Sequence, residues 1–414
     1  MNISLNMTGC RNNRYELDQI LNWAIKNGVG VVDDKEADYA VINTCTVTHV
    51  ADKKSRQMVR KTKNAHPQLQ TIVFGCAARM QKKQFEEVME VDHLIPDMPG
   101  VIQFLQSQLG EQRKCDWNLS PAKSDFARSR PMVQVQDGCD TYCSYCIIAP
   151  ARGKSKNRTV KEIVDEIQDH ADHGYNEVVL TGINIGAYGA PNTKATDESQ
   201  FAELIEAILE QTTIPRIRLS SVGPEFFDDR LHQAVNHPRV CRHIHLSIQS
   251  GCTTVLERMK RLYTAEKTSA VIEQLKKDIP NIAITTDLIA GFPGETEEEF
   301  EETLNFVKKH KLAKVHAFPY SVRENTLAAK MKNQVDPQEK RRRMKALQAL
   351  AEEHRRKFIE SQLGETVNVV WGRQIKPGFF QGLTDHYIKV RKRGGDLRAS
   401  MSQEKLNQLN IMWD

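Results

Sequence analysis

The chain has 414 residues, of which 40% are hydrophobic and 27% charged, and its formal net charge is +5. This length suffices for two or three domains with hydrophobic cores of their own. No apolar run approaches the roughly 18 residues of a membrane-spanning helix, and the N-terminus lacks the basic and apolar segments of a secretory signal. The nine cysteines are an odd number in a long chain, which indicates metal or redox chemistry rather than disulfides. We therefore expect a cytoplasmic protein with no membrane partner.

Residues 1–110 alternate between strand-like and helical patterns. Strands are predicted at 3–7, 39–43, 71–74 and 93–96, and a helical segment follows each of them. Such alternation predicts a parallel sheet with covering helices. Residues 111–130 carry no periodic pattern and are predicted to be a linker.

Three cysteines of this first domain occupy the same position relative to the predicted strands. Cys10, Cys45 and Cys76 each follow the carboxyl end of a strand. Open α/β sheets bind ligands along that edge, so the three distant thiols are predicted to converge on one metal site. Any one of them alone is better explained as a small residue in the core. Because all three cysteines occupy the same position after a strand, a metal site is favoured over packing in the core.

A second group of cysteines follows the strand-like run 132–136. Cys139, Cys143 and Cys146 form the pattern C-x3-C-x2-C. Three thiolates can hold an iron–sulfur cluster and leave one iron open to a small molecule, because four-Cys ligation is usual for such clusters. A structural zinc site, the alternative, would normally need a fourth Cys or His. The spacing resembles the cluster motif of the radical S-adenosylmethionine (SAM) enzymes, in which the open iron binds SAM.

Residues 131–360 are predicted to form the central domain. The strand before the cysteines and the strand-like runs 177–180, 216–221, 243–249, 282–289 and 314–320 make six βα units. Six units predict a partial, open (βα) barrel whose active site lies at the carboxyl ends of the strands. Side chains and glycines in or near those loops are the predicted SAM contacts: Tyr145, Gly182, Asn184, Ser221, Gln249 and Asp287.

The last part of the chain is basic and contains aromatic residues. A long basic helix is predicted after Asp336, and residues 361–414 follow as a small β unit with strands at 366–371, 378–381 and 386–390. Basic and aromatic residues on a small β-barrel suit RNA, through phosphate contacts and base stacking, although the aromatic rings also suit a barrel core. Alternate residues of one strand share a face, so the predicted RNA contacts are Lys389, Arg391 and Arg393.

The three domains in this order resemble the radical SAM methylthiotransferases over nearly the whole chain. The resemblance rests on residues 9–16, 43–48 and 75–77, on the C-x3-C-x2-C motif, and on a tail after Gly364 that looks like a TRAM domain, the RNA-binding module of that family. It implies two 4Fe–4S clusters, an auxiliary one on the first three cysteines and a SAM-binding one on the second three. It also implies an electron donor such as flavodoxin or ferredoxin, and a source of sulfur.

Within the family, residues 136–139 and 181–189 look most like the branch that methylthiolates C2 of N6-threonylcarbamoyladenosine at position 37 of tRNA. Two alternatives keep the chemistry and change the substrate, to N6-isopentenyladenosine at the same tRNA position or to an aspartate of ribosomal protein S12. An alternative of another class is a non-catalytic iron–sulfur protein that binds RNA and senses redox state. The predicted SAM loops favour an enzyme.

Overall fold

The computed structural model describes residues 1–88, 91–109 and 128–413. Most of the predicted linker, 111–130, therefore lies outside the described residues. The chain divides into two compact units. The amino-terminal unit contains the described residues up to 109 together with Cys146–Lys154 and Ser321–Arg323, and the carboxyl-terminal unit contains the others. The predicted limits of the three domains stay predictions.

The amino-terminal unit is built on a five-stranded parallel sheet with the order β2-β1-β3-β4-β5. Its strands are β1 (Asn2–Met7), β2 (Gly30–Val31), β3 (Tyr39–Thr44), β4 (Gln70–Gly75) and β5 (His93–Leu94). Its helices are α1 (Arg11–Lys26), α2 (His49–Ala65), α3 (Cys76–Met80), α4 (Lys82–Val88), α5 (Met98–Gln108) and α6 (Ile148–Arg152). Buried apolar clusters cover both faces of the central strands, as a parallel sheet requires. The prediction of a parallel α/β domain is confirmed.

The carboxyl-terminal unit contains a partial barrel of six parallel strand positions. Its strands are β6 (Met132–Gln134), β9 (Glu177–Thr181), β10 (Arg216–Leu219), β11 (Ser221–Val222), β12 (His243–Gln249), β13 (Ala283–Ala290) and β14 (Lys314–Pro319), with the short antiparallel pair β7 (Gln136–Asp137) and β8 (Lys156–Asn157) beside them. Strands β10-β9-β6 form one sheet and β11-β12-β13-β14 another. Only Ser220 separates β10 from β11, so the two sheets continue one another as the predicted open barrel.

Helices follow most of the barrel strands and close its outer face. They are α7 (Val160–Asp172), α8 (Phe201–Gln211), α9 (Asp229–Val235), α10 (Thr253–Arg258), α11 (Ala265–Asp278), α12 (Glu297–His310) and α13 (Pro337–Ser361). Capping boxes formed by Thr159 with Glu162 and by Thr296 with Glu299 fix where α7 and α12 begin. Among the described helices, none combines the length and the apolar character needed to cross a bilayer.

The chain ends in a curled antiparallel sheet that forms half of a barrel. Its strands are β15 (Thr366–Lys376), β16 (Phe379–Thr384), β17 (Lys389–Arg393) and β18 (Met401–Lys405), in the order β17-β16-β15-β18. Trp371 and Phe380 are buried in its core. Tyr387 stacks on His243 of the barrel with 4.3 Å between ring centroids. Phe380 and Tyr387 thus pack within the fold, as the core interpretation of the aromatic residues expects.

A buried ion cluster joins this sheet to the amino end of the barrel strands. Glu177, the first residue of β9, pairs with Arg216 and Arg218 of β10. Each arginine also donates to backbone carbonyls of the C-terminal sheet: Arg216 to Asn368 O and Leu383 O, both at 2.9 Å, and Arg218 to Thr384 O at 2.9 Å. The three charged side chains are almost fully buried. The barrel and the C-terminal sheet are therefore held together by one polar network.

Candidate functional site

The first three predicted metal-binding cysteines lie at one edge of the amino-terminal sheet. Cys10 is the N-cap of α1, Cys45 follows β3, and Cys76 begins α3 directly after β4. Their strands β1, β3 and β4 are neighbours in the sheet. Burial raises the pKa of the Cys45 thiol to about 11, the Val47 backbone N–H opposes this, and the negative charges of the Cys10 and Cys76 thiolates raise the pKa further. The three cysteines therefore follow neighbouring strands at one edge of the sheet.

Two glycines make room for these cysteines. Gly9 and Gly75 precede Cys10 and Cys76 and have φ angles of +115° and +97°, a region that side chains rarely adopt. A Cβ on Gly9 would lie 2.7 Å from Cys45 Cβ, and one on Gly75 would lie 2.6 Å from the backbone oxygen of Thr44. The Gly-Cys pairs therefore allow close approach of the backbone to the site.

A hydrogen-bonded network supports the same edge. Asn13 donates to Asn43 Oδ1 at 2.9 Å, and Asn43 donates to Glu16 Oε2 at 2.8 Å. Arg152 of α6 donates to Glu16 Oε1 at 3.0 Å and to Asn13 Oδ1 at 3.1 Å. Burial raises the pKa of the Cys76 thiol, whereas the charge of Arg152 lowers it. Arg152 is thus a cation placed beside a thiol that would bind metal as a thiolate.

The second cysteine group has hydrogen-bonding groups at each sulfur. Cys143 Sγ accepts a hydrogen bond from Arg261 Nη1 at 3.2 Å, and Cys146 Sγ accepts one from the backbone N–H of Ile148 at 3.4 Å. Cys139 Sγ lies 3.4 Å from Thr141 Oγ1 and 3.7 Å from Thr193 Oγ1. N–H and O–H groups around cluster thiolates are one means by which a protein tunes an iron–sulfur centre.

Arg261 belongs to a buried polar group within the carboxyl-terminal unit. Its guanidinium donates to Tyr263 Oη at 3.0 Å and lies 3.7 Å from Glu225 Oε1. Burial raises the pKa of Glu225, and the charge of Arg261 opposes that rise. The side chain of Glu225 is 3% exposed. A buried carboxylate therefore holds the guanidinium that donates to Cys143.

The predicted SAM contacts after β9 surround the side chain of Gln136. Gln136 Oε1 accepts hydrogen bonds from the backbone N–H groups of Ile183 at 3.2 Å and Asn184 at 2.9 Å. A Cβ on Gly182 would lie 2.6 Å from Gln136 O, so this loop needs glycine there. Gly182 and Asn184 are thereby fixed close to the strand that leads into the cysteine loop.

The other predicted SAM contacts are spread over the barrel. Tyr145 packs edge-on against Phe292, Ser221 begins β11, and Gln249 ends β12 with a left-handed φ of 66°. Asp287 lies inside β13, within the strand predicted at 282–289, and its carboxylate is 3.3 Å from His245 Nε2. Their roles towards SAM stay predictions.

The predicted RNA contacts lie on one strand. Lys389, Arg391 and Arg393 all belong to β17 and are exposed. Sequence patterns placed this strand at 386–390 and missed β18 entirely. They also missed the two arginines at the cysteines, Arg152 and Arg261, because neither belongs to a recognisable motif.

Each proposed donor set consists of three cysteine thiols, the ligand type of an iron–sulfur cluster. Within the described ranges, no three His, Cys, Asp or Glu side chains are grouped closely enough to hold one metal ion. A 4Fe–4S cluster is larger and is held by thiolates that stand around it. The described cysteines carry free thiols, and cationic or N–H donors face several of them. The residues therefore fit a cluster at each position.

Comparison with known proteins decides the family. Residues 133–307 match the radical SAM superfamily, and residues 2–96 match the uncharacterized protein family UPF0004. The threonylcarbamoyladenosine tRNA methylthiotransferase MtaB of Bacillus subtilis (strain 168) is 35% identical over 414 residues, covering 95% of this chain and 90% of the relative. The chain belongs to the radical SAM tRNA methylthiotransferases. It is therefore a transferase, and its family uses SAM and 4Fe–4S clusters.

Other similarities agree with this family. A tRNA-2-methylthio-N(6)-dimethylallyladenosine synthase of Thermodesulfovibrio yellowstonii is 33% identical over 407 residues, covering 94% of this chain and 92% of the relative. The solved structure of the radical SAM methyltransferase TsrM from Kitasatospora setae superposes with a TM-score of 0.55 at 12% identity, over 77% of this chain and 72% of that one. At that identity the structural likeness shows the fold alone.

Proposed function

We propose that this methylthiotransferase acts on C2 of N6-threonylcarbamoyladenosine at position 37 of tRNA and produces the 2-methylthio derivative. The observation that carries the proposal is the 35% identity to MtaB of Bacillus subtilis over 95% of the chain. MtaB of Thermotoga maritima, 31% identical over 96% of the chain, supports it. The short stretches 136–139 and 181–189 favour the same branch. Because tRNA is the substrate, we expect the enzyme to act in the cytoplasm.

The chain's own residues have distinct proposed roles. Cys139, Cys143 and Cys146 hold the cluster that binds SAM, and Cys10, Cys45 and Cys76 hold the auxiliary cluster. With these groups bound, the site has the radical chemistry needed to replace the C2 hydrogen of adenine by a methylthio group. Arg261 and Arg152 place positive charge and N–H groups at the thiolates. The barrel loops hold the cofactor and the base in reach of one another and exclude water.

The partners follow from this assignment. The substrate is a tRNA that already carries the modified adenosine, and Lys389, Arg391 and Arg393 are its proposed contacts. The proposed partners also include an electron donor such as flavodoxin or ferredoxin, and a source of sulfur. The C-terminal half-barrel is proposed to be a TRAM-like RNA-binding module that comprises residues 361–414.

A second substrate has support of its own. The Thermodesulfovibrio yellowstonii relative named for dimethylallyladenosine is 33% identical over 94% of the chain, a value close to that of MtaB. The isopentenyl-type nucleoside at the same tRNA position is therefore the second candidate. An aspartate of ribosomal protein S12 is a third candidate. Membership of a transferase family argues against the non-catalytic, redox-sensing alternative.

Mass spectrometry of tRNA nucleosides from the source cell, with and without the gene, tests the proposal. We expect the deletion to lose 2-methylthio-N6-threonylcarbamoyladenosine and to accumulate the precursor without the methylthio group. The wild-type gene should restore the product, and Cys143→Ala should not. Loss of the isopentenyl counterpart instead would contradict the substrate assignment and keep the chemistry. Unchanged nucleosides would refute the tRNA assignment and direct the search to ribosomal protein S12.

A further inference from the structure

A cavity of about 300 Å³ lies between the barrel, helix α13 and the C-terminal sheet. It opens at the amino ends of the barrel strands, since Thr285 is the third residue of β13 and Lys314 the first of β14. Five residue steps of a strand, about 17 Å, separate Thr285 from the carboxyl end of β13. The cavity is thus distinct from the loops proposed to hold SAM.

Four cations line this cavity, and each comes from a different element. They are Arg130 before β6, Lys314 of β14, Arg355 of α13 and Lys389 of β17. The described lining contains no Asp or Glu. Burial lowers the pKa of Lys314 and the like charges of Lys389 and Arg355 lower it further, whereas Tyr387 and Glu352 oppose this. Four cations from distant parts of the chain are therefore placed together without a lining anion.

The carboxylates near these four cations do not neutralise their charge. Glu177 is 3.6 Å from Arg130, but it also pairs with Arg216 and Arg218, so three guanidinium groups share one carboxylate. Glu352 lies 3.1 Å from Arg355 and is largely exposed, where an ion pair is weak. In the described part of the chain, the ammonium groups of Lys314 and Lys389 have no carboxylate within ion-pair distance. The cavity keeps a positive excess.

A buried imidazole adds a second, independent observation. His386 lines the cavity and is 2% exposed. Its Nε2 has no hydrogen-bond partner among the described residues. A buried polar atom without a partner is costly, and here the free atom belongs to a side chain on the cavity wall. Thr285 and Gln381 add neutral polar groups to the same wall.

We propose that this cavity binds a phosphate group between Lys314, Arg355 and Lys389. A volume of about 300 Å³ admits a phosphate with several waters, each of which takes roughly 30 Å³. Lysine and arginine are the usual ligands of phosphate. The group is carried either by a nucleic-acid backbone or by a small molecule, and the proposal does not depend on which nucleoside the enzyme modifies.

The test measures binding of two probes, a tRNA transcript and inorganic phosphate, to the full-length protein. Lys314→Gln and Lys389→Gln each remove one charge from the cavity, and Lys277→Gln removes one from an exposed lysine of α11 outside it. Loss of one charged hydrogen bond predicts roughly tenfold weaker binding of the occupant for each cavity variant. The control variant should bind both probes as the wild type does. Circular dichroism verifies that each variant is folded.

The two probes distinguish the carriers. If a backbone phosphate occupies the cavity, tRNA affinity falls in both cavity variants and the slope of log K against log salt decreases by about one. If a free phosphate occupies it, inorganic phosphate binds the wild type and the cavity variants weaken that binding. Equal binding of both probes by the wild type and by both folded cavity variants would overturn the proposal. If the substrate is not tRNA, the proposed function is refuted. The binding of inorganic phosphate by the wild type and the cavity variants then decides whether the cavity proposal holds.

Discussion

Arg261 places a buried positive charge at one of the proposed cluster ligands. Its Nη1 is 3.2 Å from Cys143 Sγ, and Glu225 and Tyr263 fix the guanidinium from the other side. A reduced cluster carries one more negative charge than an oxidised one, so a cationic donor at a ligating sulfur stabilises the reduced form. Arg261 is therefore a positioning residue that should raise the reduction potential of the SAM-binding cluster.

We expect Arg261→Gln to lower that potential while the cluster still assembles. A lost charged hydrogen bond of roughly 1.5–3 kcal/mol corresponds to roughly 65–130 mV for a one-electron step. A redox titration followed by electron paramagnetic resonance measures the change, and iron content shows whether the cluster is present. Arg261→Lys, which keeps the charge, should shift the potential less. An unchanged potential at full iron content would show that Arg261 serves packing alone.

The ligating residues could be predicted from sequence, and their supporting residues could not. Spacing within C-x3-C-x2-C is local, and the other three cysteines share a position after strands. Arg261, in contrast, is 118 residues from Cys143, and Arg152 is 139 residues from Asn13. An arginine has no sequence signature until the fold brings it to a sulfur. The same holds for Glu225, whose buried position is not visible in the chain.

At the scale of elements, the ion cluster around Glu177 connects β9 and β10 to the C-terminal sheet. Burial alone would raise the pKa of this carboxyl, but Arg216, Arg218 and Arg130 hold it well below its usual range. Arg216 also donates to Asn368 O and Leu383 O, and Arg218 donates to Thr384 O. The negative charge thus holds two guanidinium groups in the orientation that binds the backbone of the sheet.

We expect Glu177→Gln to destabilise the protein by about 3–5 kcal/mol, because removal of one partner leaves buried charges uncompensated. The free energy of unfolding in urea measures the loss. Glu206→Gln, which breaks an exposed pair with Arg230, is the matched control and should have little effect. A similar change in both variants would show that the buried cluster does not hold the sheet.

Protonation of Glu177 should make the free energy of unfolding depend on pH. Its folded-state pKa lies below the ordinary value of 4.5, so its contribution to stability is present above pH 4.5 and is lost as the pH falls below it. The difference in unfolding free energy between the wild type and Glu177→Gln should therefore be largest near neutral pH and shrink in acid. A difference that stays constant down to the acid limit would contradict this assignment.

The elements themselves followed closely from the sequence where apolar periodicity was strong. All six barrel strands and four of the five strands of the amino-terminal sheet were predicted, because buried strands and amphipathic helices leave clear patterns. The two-residue strand β2 was missed. β18 (Met401–Lys405) was missed because the four residues after Met401 are polar and no residue of the strand is fully buried. The strand predicted at 282–289, which contains Asp287, agrees with β13 (Ala283–Ala290) to within one residue at each end.

At the scale of the whole molecule, six cysteines form two sets that have no residue in common. Cys10, Cys45 and Cys76 lie at the edge of a parallel sheet with Arg152 beside Cys76. Cys139, Cys143 and Cys146 lie in the loop between β7 and α6, with Arg261 at Cys143. Separate ligands and separate cations predict that each proposed cluster assembles without the other.

The triple variant Cys10→Ala, Cys45→Ala, Cys76→Ala tests this division of labour. We expect it to bind half of the wild-type iron, to keep cleavage of SAM to deoxyadenosine, and to form no methylthio product, because only the sulfur-supplying site is lost. The reciprocal variant at Cys139, Cys143 and Cys146 should also bind half of the iron but should not cleave SAM. If the first variant lost all SAM cleavage although it retained half of the iron and its fold, the two sites would be functionally coupled and the proposed assignment of roles would be wrong.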